Sequence, residues 1–373
     1  MRAGLAVLLL SFLLMAGCGG SGGGNNGGGN GGSSVSPPIS FVSNAQNGAV
    51  VVSMMPATQG SVIHYTLDGS TPTASSQIYQ APFLVASNLT LSAIATSGGT
   101  SSRVTSSLFS PNIPPKTLVW SEEFSNDTGA IKQPDPLVWT YETGTSGFGN
   151  NEMEDYCAWN SSISPCDPVN PNAYIGTDGY LHILGLNPAA NTYTSARLKS
   201  QGLFSFQYGR LEFRARVPEG QGLWPAVWLL GNNISTVNWP ACGEQDVLER
   251  INDATSPDWN AGSIHGTGFT GGTGLGTLYN FPSGSTAADW HIYGMIWSPN
   301  SVQYYMDDPA NIYASFTPAS LNGLNGAVWP FDAGQSNFLI VNLAIGGDWP
   351  GPPDQTTPFP AEMLVDYIRI YTN

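Results

Sequence analysis

Trp239-Pro240-Ala241-Cys242-Gly243-Glu244-Gln245-Asp246-Val247-Leu248-Glu249 places three carboxylates within six residues of an otherwise apolar segment. Such a segment reads as a buried β-strand. On a strand, side chains alternate between faces, so Glu244 and Asp246 share one face. Glu249 is five positions beyond Glu244, and plain alternation sends it to the other side. One extra residue, a β-bulge around Val247-Leu248, returns Glu249 to the face of the other two. Like charges at neighbouring same-face positions destabilise a sheet, so a chain gains nothing structurally from this pattern. Solvated acids on an exposed strand are the alternative. Three acids this close cannot all be charged cheaply, so the cluster should hold at least one proton. The spacing therefore favours a protonated Glu249 as general acid and an ionised Glu244 tuned by Asp246.

Strand-like alternation recurs on both sides of this segment. Leu211 to Val217, Ala226 to Leu230, Val302 to Met306 and Phe338 to Leu343 all carry it, and Met363 to Tyr371 closes the chain with a strand expected in mid-sheet. No amphipathic helix of any length is evident. Of the 373 residues, 45 are Gly and 28 are Pro, while only 10% are charged, which suits many short strands joined by tight turns. The fold class is thus all-β. Residues 116–373 are expected to form one catalytic domain, a β-jelly-roll sandwich of two stacked antiparallel sheets. A small immunoglobulin-like β-sandwich of about seven strands should precede it over residues 38–110. Val50 to Met54, Ile63 to Leu67 and Leu89 to Ile94 read as its strands, with Asp68-Gly69 and Thr71-Pro72 as turns. A Pro-rich linker, 111–115, separates the two.

The chain opens as an address label. Arg2 and the apolar run Leu5 to Met15 end in Leu14-Met15-Ala16-Gly17-Cys18, which resembles a bacterial lipobox. Residues 1–18 are then a lipoprotein signal peptide with lipid on Cys18, and 19–37 are a Gly/Ser/Asn-rich tether. A plain secretory signal is the alternative, and both readings export the protein, either to the outer membrane or cell surface or fully secreted. Export permits a disulfide between Cys157 and Cys166, leaving Cys242 buried beside the carboxylate strand. The net charge of −15 argues against nucleic acid, because a phosphate backbone needs a basic footprint. A neutral polysaccharide is the partner that fits best, bound by a monomer.

The pattern Glu244-Gln245-Asp246-Val247-Leu248-Glu249 resembles the active-site motif of glycoside hydrolase family sixteen. Trp120-Ser121-Glu122-Glu123-Phe124, Gly149-Asn150-Asn151-Glu152, Tyr208 to Arg214, Gly222 to Trp228, Asp289 to Tyr293, Asn342 to Trp349 and Val365 to Ile370 resemble further segments of that family, in order. The resemblance implies a jelly roll and a retaining double displacement, with Glu244 as nucleophile, Glu249 as acid/base and Asp246 as the tuning partner. The bulged spacing is similar to that of laminarinases, agarases and carrageenases, whereas lichenases use a spacing shorter by one. The Leu-Trp-Pro-Ala-Val-Trp and Gly-Gly-Asp-Trp-Pro-Gly stretches lean towards laminarinases, which cut β-1,3-glucan, with mixed-linkage β-1,3-1,4-glucan as a secondary substrate. A non-catalytic β-glucan-binding protein, a transglycosylase and an agarase are the competing readings. Gln245 departs from the usual Ile but should face away from the acids, and Phe148 stands where a Trp is common.

Further roles follow from the same resemblance. Trp228 and Trp349 are expected to stack on sugar rings, and Trp224 either does so or packs in the core. Asn150, Glu212, Arg214 and Asn342 match positions that hydrogen-bond sugar hydroxyls, although Glu212 and Arg214 share a strand face and could equally form a structural ion pair. His265 is placed to contact sugar near the leaving group. No cofactor is implied for catalysis. Glu123, Gly179 by its carbonyl, and Asp366 match a structural calcium site, or are ordinary surface acids. Tyr65 to Pro72 resembles the immunoglobulin-like module at the C-terminus of chitobiases and hexosaminidases. With few flat aromatics, that module reads as a spacer or packing unit rather than a binding one.

Overall fold

The computed structural model describes residues 34–251, 258–332, 334 and 336–373. The expected signal peptide and most of the expected tether, including Cys18, lie outside these residues. Strands dominate. Among the described residues the one α-helix is the single turn Ile234–Val237, and no helix is long and apolar enough to cross a membrane.

The N-terminal module is two small antiparallel sheets. One orders Ile39–Asn44, Val50–Met55 and Phe83–Val85. The other orders Gln77–Ile78, Val62–Thr66, Leu89–Ser97 and Thr100–Ser101, with Thr105–Phe109 also paired to Leu89–Ser97. That makes eight strands rather than about seven, because Gln77–Ile78 and Thr100–Ser101 are only two residues long. Val52, Met54, Ile63, Tyr65, Phe83, Val85, Leu91 and Ala93 form its own core. Asp68 closes the expected turn by accepting bonds from the Ser70 N–H and hydroxyl.

This module packs against the larger C-terminal sandwich. Ala49 and Leu84 belong to the main hydrophobic core of the chain. The Leu84 N–H donates to Ser205 O at 2.9 Å, and Gln46 N–H donates to Val119 O at 3.0 Å. Ser205 Oγ donates to Pro82 O, and Asn47 Nδ2 to Leu118 O, both at 2.7 Å.

Two stacked sheets build that sandwich. The first has seven strands in the order Thr140–Glu142, Arg197–Lys199, Asn337–Ile345, Leu223–Gly231, Glu244–Glu249, Trp259–His265, Leu275–Asn280. The second has ten, with Ala361–Tyr371 between Leu181–Ala189 and Gly209–Arg216, so the closing strand does sit in mid-sheet. Leu223, Val227, Leu229, Val341 and Leu343 point inward from the first sheet. Leu211, Phe213, Met295, Trp297, Val365 and Ile368 meet them from the second. Period-two alternation thus fixes what each sheet shows outward. The first shows Trp224, Trp228, Glu244, Asp246 and Asn342, and the second shows Arg210, Glu212 and Arg214.

Candidate active site

The carboxylate strand leaves a tight corner at Gly243, whose φ of +80° and position against Pro330, 2.8 Å from where a Cβ would stand, admit no side chain. Along the strand, Trp228 pairs with Asp246 and Val227 with Leu248, so Val247 is the inserted residue of a β-bulge. Val247 and Leu248 both turn into the core, at 1% and 0% exposure. Glu249 therefore returns to the outer face beside Asp246. The bulge frees backbone groups from the ladder, and one side chain takes them up. Asn260 Oδ1 accepts the Glu249 N–H at 3.1 Å, while its Nδ2 donates to Val247 O at 3.1 Å. Gln245 points the other way and accepts a bond from Asn337 Nδ2.

Glu244, Asp246 and Glu249 are linked through two side chains of the neighbouring strand. His265 Nε2 lies 3.3 Å from Asp246 Oδ2 and 3.8 Å from Glu244 Oε1. Ser263 Oγ lies 2.9 Å from Asp246 Oδ2 and 3.3 Å from Glu249 Oε2. Trp239 Nε1 donates to Glu244 Oε2 at 2.7 Å. The acids sit between two apolar clusters of the outer face. Leu230, Cys242, Phe338 and Ile340 form one, and Ile251, Trp259 and Ala261 the other.

Burial in this setting disfavours charge on all three. It pushes Glu244 up to about 8, with Asp246 adding repulsion and His265 and Trp239 pulling the other way. Burial raises Asp246 to about 7 against the Ser263 hydrogen bond. Glu249 rises to about 8, first through burial and then through Asp246. The hydrogen bonds decide where the negative charge rests. Glu244 receives an indole N–H, which favours its ionised form. The single proton of Ser263 serves Asp246 at the shorter distance, so only a protonated Glu249 completes its own contact with that hydroxyl, as the donor. An ionised carboxylate beside a protonated one is what acid-assisted displacement at an acetal carbon requires.

The cluster costs stability in a pH-dependent way. Folded pKa values above the ordinary carboxylate range mean that the folded chain holds these protons more tightly. The stability that comes with these bound protons is complete below about pH 4 and is lost as pH rises towards 8, where the cost is greatest. Glu249→Gln is expected to raise Tm relative to wild type more at pH 8.5 than at pH 5. The difference should be at least about 1–2 °C, as for roughly 1 kcal/mol in a chain of this length. Thermal unfolding at the two pH values checks it, and an equal shift at both would contradict the buried-charge account.

Around the acids the expected binding residues divide. Trp224 and Trp349 meet edge to face, with centroids 4.9 Å apart, and Trp349 is among the exposed large side chains at 39%. Trp228 Nε1 donates to Asn342 Oδ1 at 2.8 Å, and Asn342 Nδ2 donates to Tyr156 Oη at 3.2 Å. Asn342 thus orients Trp228 from a buried position. Asn150 acts on backbone: its Nδ2 donates to Trp349 O at 2.6 Å and its Oδ1 accepts from Trp349 N–H at 3.1 Å. Gly347, with φ of +95°, leaves the space that Asn150 Nδ2 fills. Asn150→Ala is expected to raise KM about tenfold, the factor for about 1.4 kcal/mol, with kcat little changed, because Trp349 loses its fixed position. Steady-state kinetics on a soluble glucan checks this.

Glu212 and Arg214 are corrected. They project from the outer face of the second sheet, on the opposite side of the sandwich, because Leu211, Phe213 and Ala215 of the same strand take the inward positions. Nor do they pair with each other. Glu212 binds Arg210, Tyr305 and Tyr367, and Arg214 binds Asp366 at 2.7 Å. Two of the calcium candidates have side-chain partners of their own. Both Glu123 oxygens are taken by Arg369, at 2.9 and 2.8 Å, and Asp366 is held by Arg214. Gly179 occupies a turn with φ of +84°. These guanidinium groups already supply the counter-charge that a cation would bring.

Trp239, Ser263 and Asn260 carry contacts to the acids that the sequence pattern did not assign. Arg197 is a fourth addition, with its guanidinium 4.8 Å from the Trp228 ring centroid and 5.0 Å from that of Phe148, and its Nε 2.7 Å from Glu142. Cys157 and Cys166 are joined as a disulfide, and Cys242 is buried, its thiol pushed up to about 12.

A two-sheet sandwich bearing linked, partly protonated carboxyl groups among aromatic side chains defines a glycoside hydrolase. Known families match it in two places. The chitobiase/beta-hexosaminidase C-terminal domain matches residues 42–106, and glycosyl hydrolases family 16 matches residues 173–358. The chain belongs to glycosyl hydrolases family 16. It is 36% identical over 263 residues to a beta-glucanase of Rhodothermus marinus, covering 68% of this chain and 84% of that protein. It is 32% identical over 285 residues to glucan endo-1,3-beta-glucosidase A1 of Niallia circulans, covering 70% of this chain but only 38% of that longer protein. Among solved structures, the laminarinase catalytic domain of Thermotoga maritima superposes with a TM-score of 0.59 at 36% identity, over 70% of this chain and 99% of that one.

Proposed function

We propose that the chain is an exported, retaining endo-β-1,3-glucanase of the laminarinase type. Glu244 attacks the anomeric carbon and Glu249 protonates the departing glycosidic oxygen. Water, deprotonated by Glu249, then releases the sugar from Glu244 with its original configuration. Asp246 shares the Ser263 hydroxyl with Glu249 and, with His265, holds the proton balance between the two glutamates. The observation that carries this reading is the bulge at Val247, which sets Glu249 on the face of Glu244.

The outer-face aromatics Trp224, Trp228 and Trp349 suit the apolar faces of glucosyl rings. Net charge of −15 disfavours a sulfated polymer, although one relative is described as a keratan-sulfate endo-1,4-beta-galactosidase. Another is a beta-1,3-glucan-binding protein. Retention of both glutamates favours turnover over binding alone. Cys18 as a lipid anchor, and a monomer working at the end of the tether, complete the proposal.

Initial rates on laminarin, lichenan, agarose and carrageenan test it, with laminarin expected to lead. A higher rate on agarose would overturn the substrate assignment, and no reducing-end release from any of them would overturn hydrolysis. The rate on laminarin is further expected to fall as pH rises through about 8, where Glu249 loses the proton it must donate. A pH–rate profile checks that limb.

A further inference from the structure

The N-terminal module and the hydrolase part enclose a cavity of about 550 Å³, on surfaces that the acids do not share. That volume lies within the roughly 300–1,000 Å³ usual for small-molecule sites. Among the described residues, no acidic or basic side chain lines it, in a chain with net charge −15. Its walls combine aromatic rings with carboxamides. Tyr208 and Tyr371 are half-buried on the hydrolase side, and Arg210 holds the Tyr371 ring from outside the cavity, 3.9 Å from its centroid. Gln207 also lines the cavity, with its Nε2 turned away from the open space and buried. Across the gap, the amides of Asn88 and Asn112 bond to each other, Asn88 Nδ2 donating to Asn112 Oδ1 at 2.9 Å and Asn112 N–H to Asn88 Oδ1 at 3.2 Å. Each amide keeps unused donor and acceptor capacity.

We propose that this cavity is a second, non-catalytic site for a neutral oligosaccharide segment, with one wall supplied by the module. A sugar ring offers apolar C–H faces to the tyrosines and hydroxyls to the Asn88 and Asn112 amides, and it brings no charge that the walls would have to match. A fatty chain would leave the asparagines unanswered, and an anionic ligand would find no counter-charge. The module thereby gains a binding duty beyond packing, one that does not depend on which glucan the acids cleave.

Calorimetric titration of laminaritriose, cellotriose and neoagarotetraose into the full chain carrying Glu249→Gln tests the site. At least one sugar is expected to bind with two equivalents per chain. Adding Ser87→Trp, which sets a large ring at an exposed rim position, should return the count to one. Asn88→Ala should weaken the second equivalent about tenfold or more. Neither change, placed in the otherwise wild-type chain, should alter kcat on a short soluble substrate. One equivalent or fewer for every sugar, or a second equivalent that survives both substitutions, overturns the proposal. A wrong glucan assignment would instead show in the wild-type rate profile, leaving this stoichiometry readable.

Discussion

Glu244→Gln and Glu249→Gln each lower kcat on laminarin by about 10,000-fold or more, at the upper end of what a positioned acid or base contributes, while glucan binding and the fold persist. Glutamine keeps the shape of each side chain and removes only its ability to attack or to carry the proton. The two roles separate with azide. In Glu249→Ala, a reactive glycoside still forms the glycosyl-enzyme on Glu244, and azide enters from the vacated side to give the β-glycosyl azide. In Glu244→Ala no such intermediate forms, and azide takes the nucleophile's place to give the α-product. Product configuration by NMR reads this directly. The same anomer from both variants, or hydrolysis by either glutamine variant within tenfold of wild type, would remove the assigned roles.

The site's main device was legible because carboxylates are informative where they are least welcome. Alternation placed Glu244 and Asp246 together, and the arithmetic of five positions demanded a bulge, which Val247 supplies. Strand positions were readable for the same reason, since Leu211, Phe213 and Ala215 alternate with charged residues. Alternation says which residues share a face, however, and never which sheet that face belongs to. Glu212 and Arg214 therefore read as sugar-binding residues from the sequence, although they project from the other side of the sandwich. Asn150 and Asn342 were found as polar residues near the site, but their amides act on Trp349 backbone and on Trp228. Trp239 adjoins the acids in sequence and could have been suspected from that alone. Ser263 and Asn260 could not, because their importance comes from pairing across a strand whose register only the folded chain sets. The cavity shared with the module is invisible in sequence for the same reason, its walls coming from segments more than a hundred residues apart.

The bulge itself can be tested by removing it. Deleting Val247 leaves Leu248 opposite Val227 and Glu249 opposite Ala226, while Asp246 stays opposite Trp228, so every partner across the ladder is preserved. The shortened strand alternates regularly, and all three acids remain on the outer face, at the spacing that the family resemblance assigns to lichenases. The core loses one fully buried valine, a cost of about 2–4 kcal/mol from lost burial and the cavity left behind. Asn260 loses the Val247 carbonyl that its amide now serves. The deletion variant is thus expected to unfold several degrees earlier yet retain hydrolysis within roughly a hundredfold of wild type. That penalty of about 2.7 kcal/mol would come from a small displacement of Glu249 along the strand. Inserting one alanine after Val247 should do the opposite, turning Glu249 towards the core and silencing the enzyme as completely as Glu249→Gln. Measuring kcat and Tm for both variants decides the matter. If the deletion is as inactive as the insertion while still folded, placing Glu249 on the outer face is not enough, and the bulge must set the separation between the glutamates to within a fraction of a residue's length.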